Sequence, residues 1–271
     1  MSTGLERDNE LLFFGDDLEL SEHVSSLRYA SIIQKALMPD PEIIRKYLKD
    51  YFVLFMPRDI VSGDFFYTYA DRNRICIAVG DCTGHGVPGA LLSILGIGFL
   101  NEVMQGCITQ KPNRILNLLR EKVIKALKQK DDVSSAKDSF DLALCIFDTS
   151  TGILEFSGAN RPLFIVRKGE LIEYKGNPMT IGIAPVLEKS FTEYSVKIEK
   201  EDTCYIFSDG YCDQFGGADE KKFKYSRFRE LIRSINKRGM AEQGKMLEST
   251  FSDWKGDLQQ VDDVTVIGFK F

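Results

Sequence analysis

The sequence is poor in the residues that mark zinc-binding and disulfide-rich proteins. It has two histidines, His23 and His85, and six cysteines that form no C-x-x-C pair. Cysteines scattered through apolar runs behave as small hydrophobic residues, so this pattern predicts a reducing, cytoplasmic location and no disulfide framework. A zinc site of the histidine and cysteine kind lacks ligands at a recognisable spacing.

Basic charge and long hydrophobic runs are also scarce. The 271 residues carry a formal net charge of -5 with a pI near 5.3, and no basic stripe typical of nucleic-acid binding stands out. No apolar segment is predicted to span a bilayer, and the acidic N-terminus lacks the residue order of a signal peptide. The sequence therefore predicts neither a nucleic-acid partner nor a membrane span.

Three parts follow one another along the chain. Residues 1–17 are polar and acidic around a Leu-Leu-Phe-Phe core and are predicted to form a flexible leader. Residues 18–48 place apolar side chains at helical spacing before two prolines, which predicts regulatory or dimerisation helices. Such an apolar stripe either packs on the domain that follows or contacts a partner. Residues 49–271 are predicted to form one domain.

Strand-like segments surround two pairs of helical patterns in this domain. Helices are predicted at 87–105, 112–130 and 223–251, the last broken near Gly239. Strands are predicted at 51–56, 64–69, 74–79, 140–148, 153–157, 162–167, 171–174, 191–198, 203–207 and 264–269. The short turns between residues 140 and 174 indicate an antiparallel meander rather than βαβ crossovers. We therefore expect a four-layer α-β-β-α sandwich of two mainly antiparallel sheets flanked by helices.

Residues 79–90 allow two incompatible interpretations. Gly84, Gly86 and Gly89 spell G-x-G-x-x-G between a strand and a helix, which is the dinucleotide-binding fingerprint of many oxidoreductases. However, Asp81 ends the strand, where a carboxylate would repel a pyrophosphate and would suit a hard cation. The acidic ribose partner expected about 20 residues later is also missing.

Four aspartates share the same local setting and favour the cation. Each of them lies at the start or end of an apolar strand: Asp64, Asp81, Asp209 and Asp262. Any one alone is typical of a turn or a cap. Four carboxylates brought together repel one another unless cations neutralise them, and oxygen ligands select magnesium, manganese or calcium. Two such ions lower the pKa of a shared water and hold a phosphoryl oxygen, which predicts phosphoester hydrolysis without a covalent intermediate.

Four ordered motifs then resemble a known family. The segments 61–66, 80–86, 208–210 and 262–265 resemble the signature of the sporulation-protein-E-type branch of the metal-dependent type 2C serine/threonine protein phosphatases. The resemblance covers about residues 51–271. It implies an α-β-β-α sandwich with two Mn²⁺ or Mg²⁺ ions, attack by a metal-bridging hydroxide, and a phosphorylated anti-sigma-factor antagonist as the substrate.

The resemblance also assigns roles to individual residues. Asp81 corresponds to the ligand that bridges both metals, with the backbone carbonyl of Cys82 as a further ligand. Asp209 and Asp262 correspond to ligands of the second ion, and Asp64 to a ligand that can act through water. Asp263 stands where many relatives have asparagine and is expected to support the ligands from outside. The segment 18–48 corresponds to the linker that receives signals or dimerises, so regulation by a partner or by dimerisation is expected.

Three further residues near the motifs have weaker signals. Gly84, like the other glycines of its run, is expected to let the next helix begin close to the metals. His85 lies between glycines, which favours a hydrogen-bonding role in the turn over proton transfer. Arg58 is a candidate for holding the substrate phosphate, with solvated surface charge as the alternative. The other functions that the sequence leaves open are a catalytically inactive signalling module and, less favoured, a dinucleotide-binding oxidoreductase.

Overall fold

The computed structural model describes residues 5–105, 110–130, 138–183 and 190–271, with side chains from residue 21 onward. The helices are α1 (Leu5–Leu37), α2 (Gly86–Met104), α3 (Pro112–Ala126), α4 (Gly210–Asp213), α5 (Lys224–Ile235) and α6 (Met240–Lys255), with a 3-10 helix at Pro41–Lys46. The strands are β1 (Asp50–Met56), β2 (Phe65–Asp71), β3 (Arg74–Cys82), β4 (Phe140–Asp148), β5 (Ile153–Ala159), β6 (Leu163–Arg167), β7 (Glu170–Tyr174), β8 (Tyr194–Lys197), β9 (Thr203–Phe207), β10 (Phe215–Gly216), β11 (Lys221–Lys222) and β12 (Val264–Lys270).

The strands form two five-stranded antiparallel sheets. One has the order β1-β12-β9-β6-β7, and the other has the order β2-β3-β4-β5-β8. The short strands β10 and β11 pair separately. Three buried clusters separate four layers: one between the sheets, one under α2 and α3, and one under α5 and α6. The predicted α-β-β-α sandwich is confirmed, and its antiparallel pairing contradicts the dinucleotide-binding alternative, which needs a parallel sheet.

Local sequence explains where several elements begin and end. Pro112 occupies the first turn of α3, where its missing N–H costs nothing. Gly239 precedes α6 and accounts for the predicted break between α5 and α6. In the β2–β3 hairpin, Asp71 pairs with Arg74 and Arg72 has a φ of 52°, as a two-residue turn requires. The predicted turn at residues 71–73 is therefore confirmed.

The predicted meander is wrong at its centre. β4 pairs with β5 in one sheet, but β6 pairs with β7 and β9 in the other. The chain passes from one sheet to the other through the three residues between Ala159 and Leu163. Short spacing indicates a tight turn but does not show whether the next strand stays in the same sheet. This crossing places Arg161 at one end of the sandwich.

The N-terminal helix is longer than the sequence predicts. α1 includes the predicted helical stretch from Leu18 to Leu37 and begins at Leu5, inside the segment predicted as a leader. The Gln34 side chain joins α1 to the domain, because it donates to the Ser62 carbonyl at 2.6 Å and accepts from the Ser62 N–H at 3.0 Å. The mobility of residues 1–17 and the boundary near residue 48 stay predictions.

Helix α2 corrects the prediction that no segment is long and apolar enough to cross a membrane. Gly86–Met104 reaches that length, with a mean hydropathy of 1.6 in its most apolar window. Half of that window is buried, and Leu92, Leu100 and Met104 belong to the core against the β2–β3 sheet. A core helix covered on one side by a sheet has the same composition as a membrane span, so composition alone does not separate the two.

The cysteines agree with the predicted absence of disulfides within the described part of the chain. Cys76, Cys82, Cys145, Cys204 and Cys212 are free and buried, and Cys107 lies outside the described residues. Burial raises the pKa of the Cys145 and Cys204 thiols well above the ordinary value. These thiols therefore stay protonated and act as small core side chains.

Candidate metal centre

The predicted aspartates meet at one end of the sandwich. Asp64 directly precedes β2, and Asp81 lies near the end of β3, the strand that pairs with β2. Asp209 follows β9, and Asp262 lies just before β12, next to Asp263, in the opposite sheet. Antiparallel neighbours bring the start of one strand beside the end of the next, so residues far apart in sequence share this edge.

Three glycines let the loops of this edge approach one another closely. A Cβ on Gly89 would lie 2.5 Å from the Gly84 carbonyl oxygen, and a Cβ on Gly63 would lie 2.7 Å from the same atom. Gly84 also has a φ of 80°, which other residues rarely adopt. The glycine run therefore packs the start of α2 against the loop before Asp64.

Asp64 is the most enclosed carboxylate of the cluster. Only 2% of its surface is exposed, and the Ser208 hydroxyl donates to its Oδ2 at 2.5 Å. Ser208 Oγ in turn accepts from the Thr265 N–H at 3.0 Å. Burial raises the pKa of Asp64 to about 8; the Ser208 hydrogen bond opposes this, and the charges of Asp263 and Asp262 add to it.

Asp81 lies opposite a carboxylate that the sequence analysis did not select. In the β3–β4 register Asp81 pairs with Asp141, and like charges directly opposite each other destabilise a sheet. One terminal nitrogen of Arg161, Nη2, lies 3.1 Å from Asp81 Oδ2, 2.9 Å from Asp141 Oδ2 and 2.7 Å from Asp209 Oδ2. The guanidinium therefore compensates three carboxylates from both sheets.

The positive charge of Arg161 does not compensate all the negative charge of the surrounding carboxylates. Burial raises the pKa of Asp81 well above its ordinary value, and Asp64 raises it further, although Arg161 opposes the shift. Burial also raises the pKa of Asp141. For Arg161 itself burial acts to lower the pKa, but the carboxylates around it outweigh that effect and raise it. The site thus favours additional positive charge.

The two adjacent aspartates before β12 have different tasks. Asp263 is buried, and its carboxylate accepts the Gly63 N–H at 2.7 Å and the Arg58 N–H at 2.8 Å. It therefore holds the loop that leads to Asp64. Asp262 is less buried and accepts the Asp263 N–H at 2.8 Å; burial, together with the charges of Asp209 and Asp263, raises its pKa. The support of metal ligands by Asp263 from outside the ligand set stays a prediction.

The remaining predicted residues lie around this cluster with their side chains committed elsewhere. Arg58 donates from its guanidinium to the Val261 carbonyl at 3.1 Å. His85 Nδ1 lies 3.1 Å from Asp59 Oδ2, and both side chains are exposed. The Cys82 side chain is buried in the core under α2, which leaves only its backbone available toward the site.

The structure adds three residues that the sequence analysis missed: Asp141, Arg161 and Ser208. Asp141 is the second residue of an ordinary apolar strand, and only the strand register places it opposite Asp81. Arg161 follows the turn residues 158–160, with no basic neighbour to mark it. Ser208 stands inside a quoted motif, but its hydrogen bond to Asp64 crosses between the two sheets. None of these roles has a local signal in the sequence.

The donor set fits hard divalent cations. Its side-chain donors are all oxygen atoms, and a carboxylate as buried as Asp64, with a pKa raised to about 8, lacks a compensating charge that a cation would supply. Within the described residues, no three His, Cys, Asp or Glu side chains converge on one point at metal-ligand distance. Instead, the nitrogen of Arg161 lies between Asp81 and Asp209. Metal binding by these two residues therefore requires a movement of the guanidinium.

Solved structures share most of the fold with this chain. The SiaA-PP2C domain of Pseudomonas aeruginosa matches with a TM-score of 0.84 and 29% identity, over 93% of this chain and 98% of that one. The PP2C phosphatase domain of SpoIIE from Bacillus subtilis, with a fragment of its regulatory domain, matches with a TM-score of 0.66 and 17% identity, over 82% and 63%. The RsbU and RsbW domains of a Mycobacterium tuberculosis protein match with a TM-score of 0.64 and 18% identity, over 82% and 59%.

Sequence comparison agrees with the structural one at the level of the family. No curated protein matches the chain significantly in sequence. A family model described as stage II sporulation protein E matches residues 71–271, which include Asp81, Asp141, Arg161, Asp209 and Asp262. The chain therefore belongs to the stage II sporulation protein E family and has the PP2C-type phosphatase fold.

Proposed function

We propose that this protein is a metal-dependent phosphatase that removes phosphate from phosphoserine or phosphothreonine on a small regulatory protein. The observation that carries the proposal is the meeting of Asp64, Asp81, Asp209 and Asp262 at one end of the sandwich, with too little positive charge of their own. A phosphatase-like module without activity has no need for such a costly cluster, because buried like charges destabilise the fold.

Each part of the site has a task in this proposal. Asp81, the Cys82 carbonyl, Asp209 and Asp262 would hold two Mn²⁺ or Mg²⁺ ions, with Asp64 as a further ligand. Bound there, the ions would supply an activated water and offset the charge of the phosphoryl group. A relative of low identity, RsbX, was solved in complex with magnesium, which supports the choice of metal.

The protein groups around the ligands position them and the substrate. Asp263 holds the loop of Asp64 through the Arg58 and Gly63 N–H groups. The Arg58 side chain, which donates to Val261 at the edge of the site, is the candidate for contacting the substrate phosphate. His85 keeps its expected hydrogen-bonding role through Asp59.

Removal of the metal tests this function directly. The native chain is expected to hydrolyse an aryl phosphate and a phosphoserine protein with Mn²⁺ or Mg²⁺, and to lose this activity in a chelator. Adding excess Mn²⁺ should restore it, since the carboxylates rather than the metal define the site. Phosphate release measured with and without metal is the readout. Absence of hydrolysis under every metal condition would favour the inactive signalling module.

The regulatory partner is proposed on family grounds. The matched solved structures include an RsbU domain in one chain with an RsbW domain and a protein described within the bacterial stressosome. These relatives support a partner-switching role in which the substrate resembles an anti-sigma-factor antagonist. The test compares the rate of dephosphorylation of such a protein, purified in its phosphorylated form, with that of an unrelated phosphoserine protein. The proposal expects the first rate to be higher.

The helical segment 18–48 is proposed to form a homodimer. Tyr29, Ile32, Ile33 and Leu37 are exposed on α1, with 66% of Tyr29 and 63% of Ile32 accessible. Their spacing of three and four residues forms one apolar stripe, while Gln34 on another face is buried against the domain. A second copy of the same helix offers a matching stripe.

Solution mass tests this dimer. The native chain is expected to have the mass of a dimer by light scattering, and Ile32→Glu should shift it to a monomer, since a charge in an apolar helix interface is poorly tolerated. Ile172→Glu is the matched control, because Ile172 is also an exposed isoleucine, at 36%, but lies on β7. A monomeric native chain, or a dimer that survives Ile32→Glu, would contradict the proposal.

A further inference from the structure

The backbone of Arg161 is closely packed at the crossing between the sheets. A Cβ on Gly158 would lie 2.1 Å from the Arg161 carbonyl oxygen, and one on Gly176 would lie 2.6 Å from it. Asn160 has a φ of 57°, and its side chain donates to Asp141 Oδ1 at 2.7 Å. Because the turn is clamped on both sides, any movement of the guanidinium must come from the side chain.

The guanidinium contacts three carboxylates, two of which are proposed metal ligands. Its Nη2 lies within 3.1 Å of one oxygen each of Asp81, Asp141 and Asp209. Only 10% of the side chain is exposed, and Nε is buried without a hydrogen-bond partner. A buried donor left unpaired costs free energy, so this position of the side chain is explained by its attraction to the three carboxylates, with Tyr225 also beside the guanidinium.

We propose that Arg161 is an internal counter-ion that competes with the divalent cations for Asp81 and Asp209. Without metal it holds the two sheets together at their crowded edge. On metal binding it releases Asp81 and Asp209 and keeps Asp141, which the metal ligand set does not include. Arg161 thereby weakens metal binding and stabilises the metal-free protein. The inference rests on the proposed metal-dependent function.

Competition has two measurable signs that a purely structural arginine would not show together. Removing the guanidinium leaves three carboxylates close together, so the metal-free protein should lose stability. The same change frees Asp81 and Asp209, so Mn²⁺ should bind more tightly. An arginine that only preorganised the ligands would lower both the stability and the metal affinity when removed.

Arg161→Gln, Arg161→Lys and Arg167→Gln test the proposal. Arg167 is a matched control, because it ends β6, the strand that follows the crossing, and pairs with a buried carboxylate, Asp202, at 2.6 Å, away from the site. Mn²⁺ binding is measured by titration calorimetry and Tm is measured with chelator and with Mn²⁺, so neither readout depends on activity.

For Arg161→Gln we expect a lower Tm in chelator and a Mn²⁺ affinity at least about tenfold higher than that of the native chain. Arg161→Lys keeps one positive charge and should stay close to native on both measures. Arg167→Gln should lose Tm equally with and without Mn²⁺. If Arg161→Gln is unfolded in chelator, refolding by added Mn²⁺ supports the proposal.

Several results would overturn it. Unchanged or weaker Mn²⁺ binding by a folded Arg161→Gln, or failure of Mn²⁺ to refold it, contradicts the competition. If the native chain binds Mn²⁺ and Arg161→Gln shows either of these results, the competition is contradicted but the proposed function is not. If the native chain binds neither Mn²⁺ nor Mg²⁺, the proposed function itself is contradicted.

Discussion

Asp81→Asn is expected to lower the metal-dependent phosphatase rate by at least about 100-fold. Replacing groups that merely orient metal ligands costs about 10- to 100-fold, and Asp81 is proposed to contact both ions. Asparagine keeps the shape and removes the charge, and the variant retains the β3–β4 pairing, which uses only backbone groups. Hydrolysis of an aryl phosphate across a range of Mn²⁺ concentrations measures the loss.

The control for this variant lies at the other end of the same strand pair. Asp148→Asn changes a carboxylate near Arg74, on β4, far along the sheet from Asp141. It is expected to leave the rate unchanged. Equal rates for Asp81→Asn and the native chain at saturating Mn²⁺ would refute the assignment of Asp81, whereas a loss in both variants would indicate a general effect on folding.

Asp64→Asn is expected to stabilise the metal-free protein, although it should also impair catalysis. The carboxylate is buried beside Asp262 and Asp263, so its charge is costly, and asparagine has no charge at any pH. A pKa raised from 3.8 to about 8 corresponds to a penalty of several kcal/mol for the ionised form, and we expect Asp64→Asn to stabilise the chain by about 3 kcal/mol at pH 8.

The pH dependence gives this prediction its sign. Below about pH 4 Asp64 is protonated in both the folded and the unfolded chain, so it costs nothing. Between about pH 4 and pH 8 the unfolded chain releases the proton while the folded chain keeps it, so native stability falls as the pH rises. The advantage of Asp64→Asn should therefore be larger at pH 8 than at pH 5.

Denaturant unfolding in chelator at these two pH values measures the effect. Asp202→Asn serves as the opposite case, because Asp202 is buried but accepts hydrogen bonds from Arg167 and from the Glu199 N–H. Its replacement should destabilise the chain at both pH values. With saturating Mn²⁺ the native chain should be more stable than Asp64→Asn, since a bound cation then compensates the Asp64 carboxylate. If Asp64→Asn is less stable than the native chain at pH 8 in chelator, the prediction that the buried Asp64 charge destabilises the fold is contradicted.

Local patterns in the sequence were sufficient for most of the fold. The apolar strand segments bounded by short turns, and the positions of Pro112 and Gly239, predicted element types and boundaries close to those observed. The crossing between β5 and β6 was not predictable in this way. A short turn has the same residues whether the next strand joins the same sheet or the facing one, so the choice depends on long-range packing.

The sequence by itself determined the chemistry of the site: aspartates at strand ends, no zinc-type ligands, and glycines where loops must approach closely. Only the tertiary structure decided which other groups join them. Asp141 faces Asp81 through strand register, Ser208 reaches Asp64 across the two sheets, and Arg161 arrives from the crossing. These contacts join residues more than 45 positions apart or depend on the pairing of whole strands, so no local pattern encodes them.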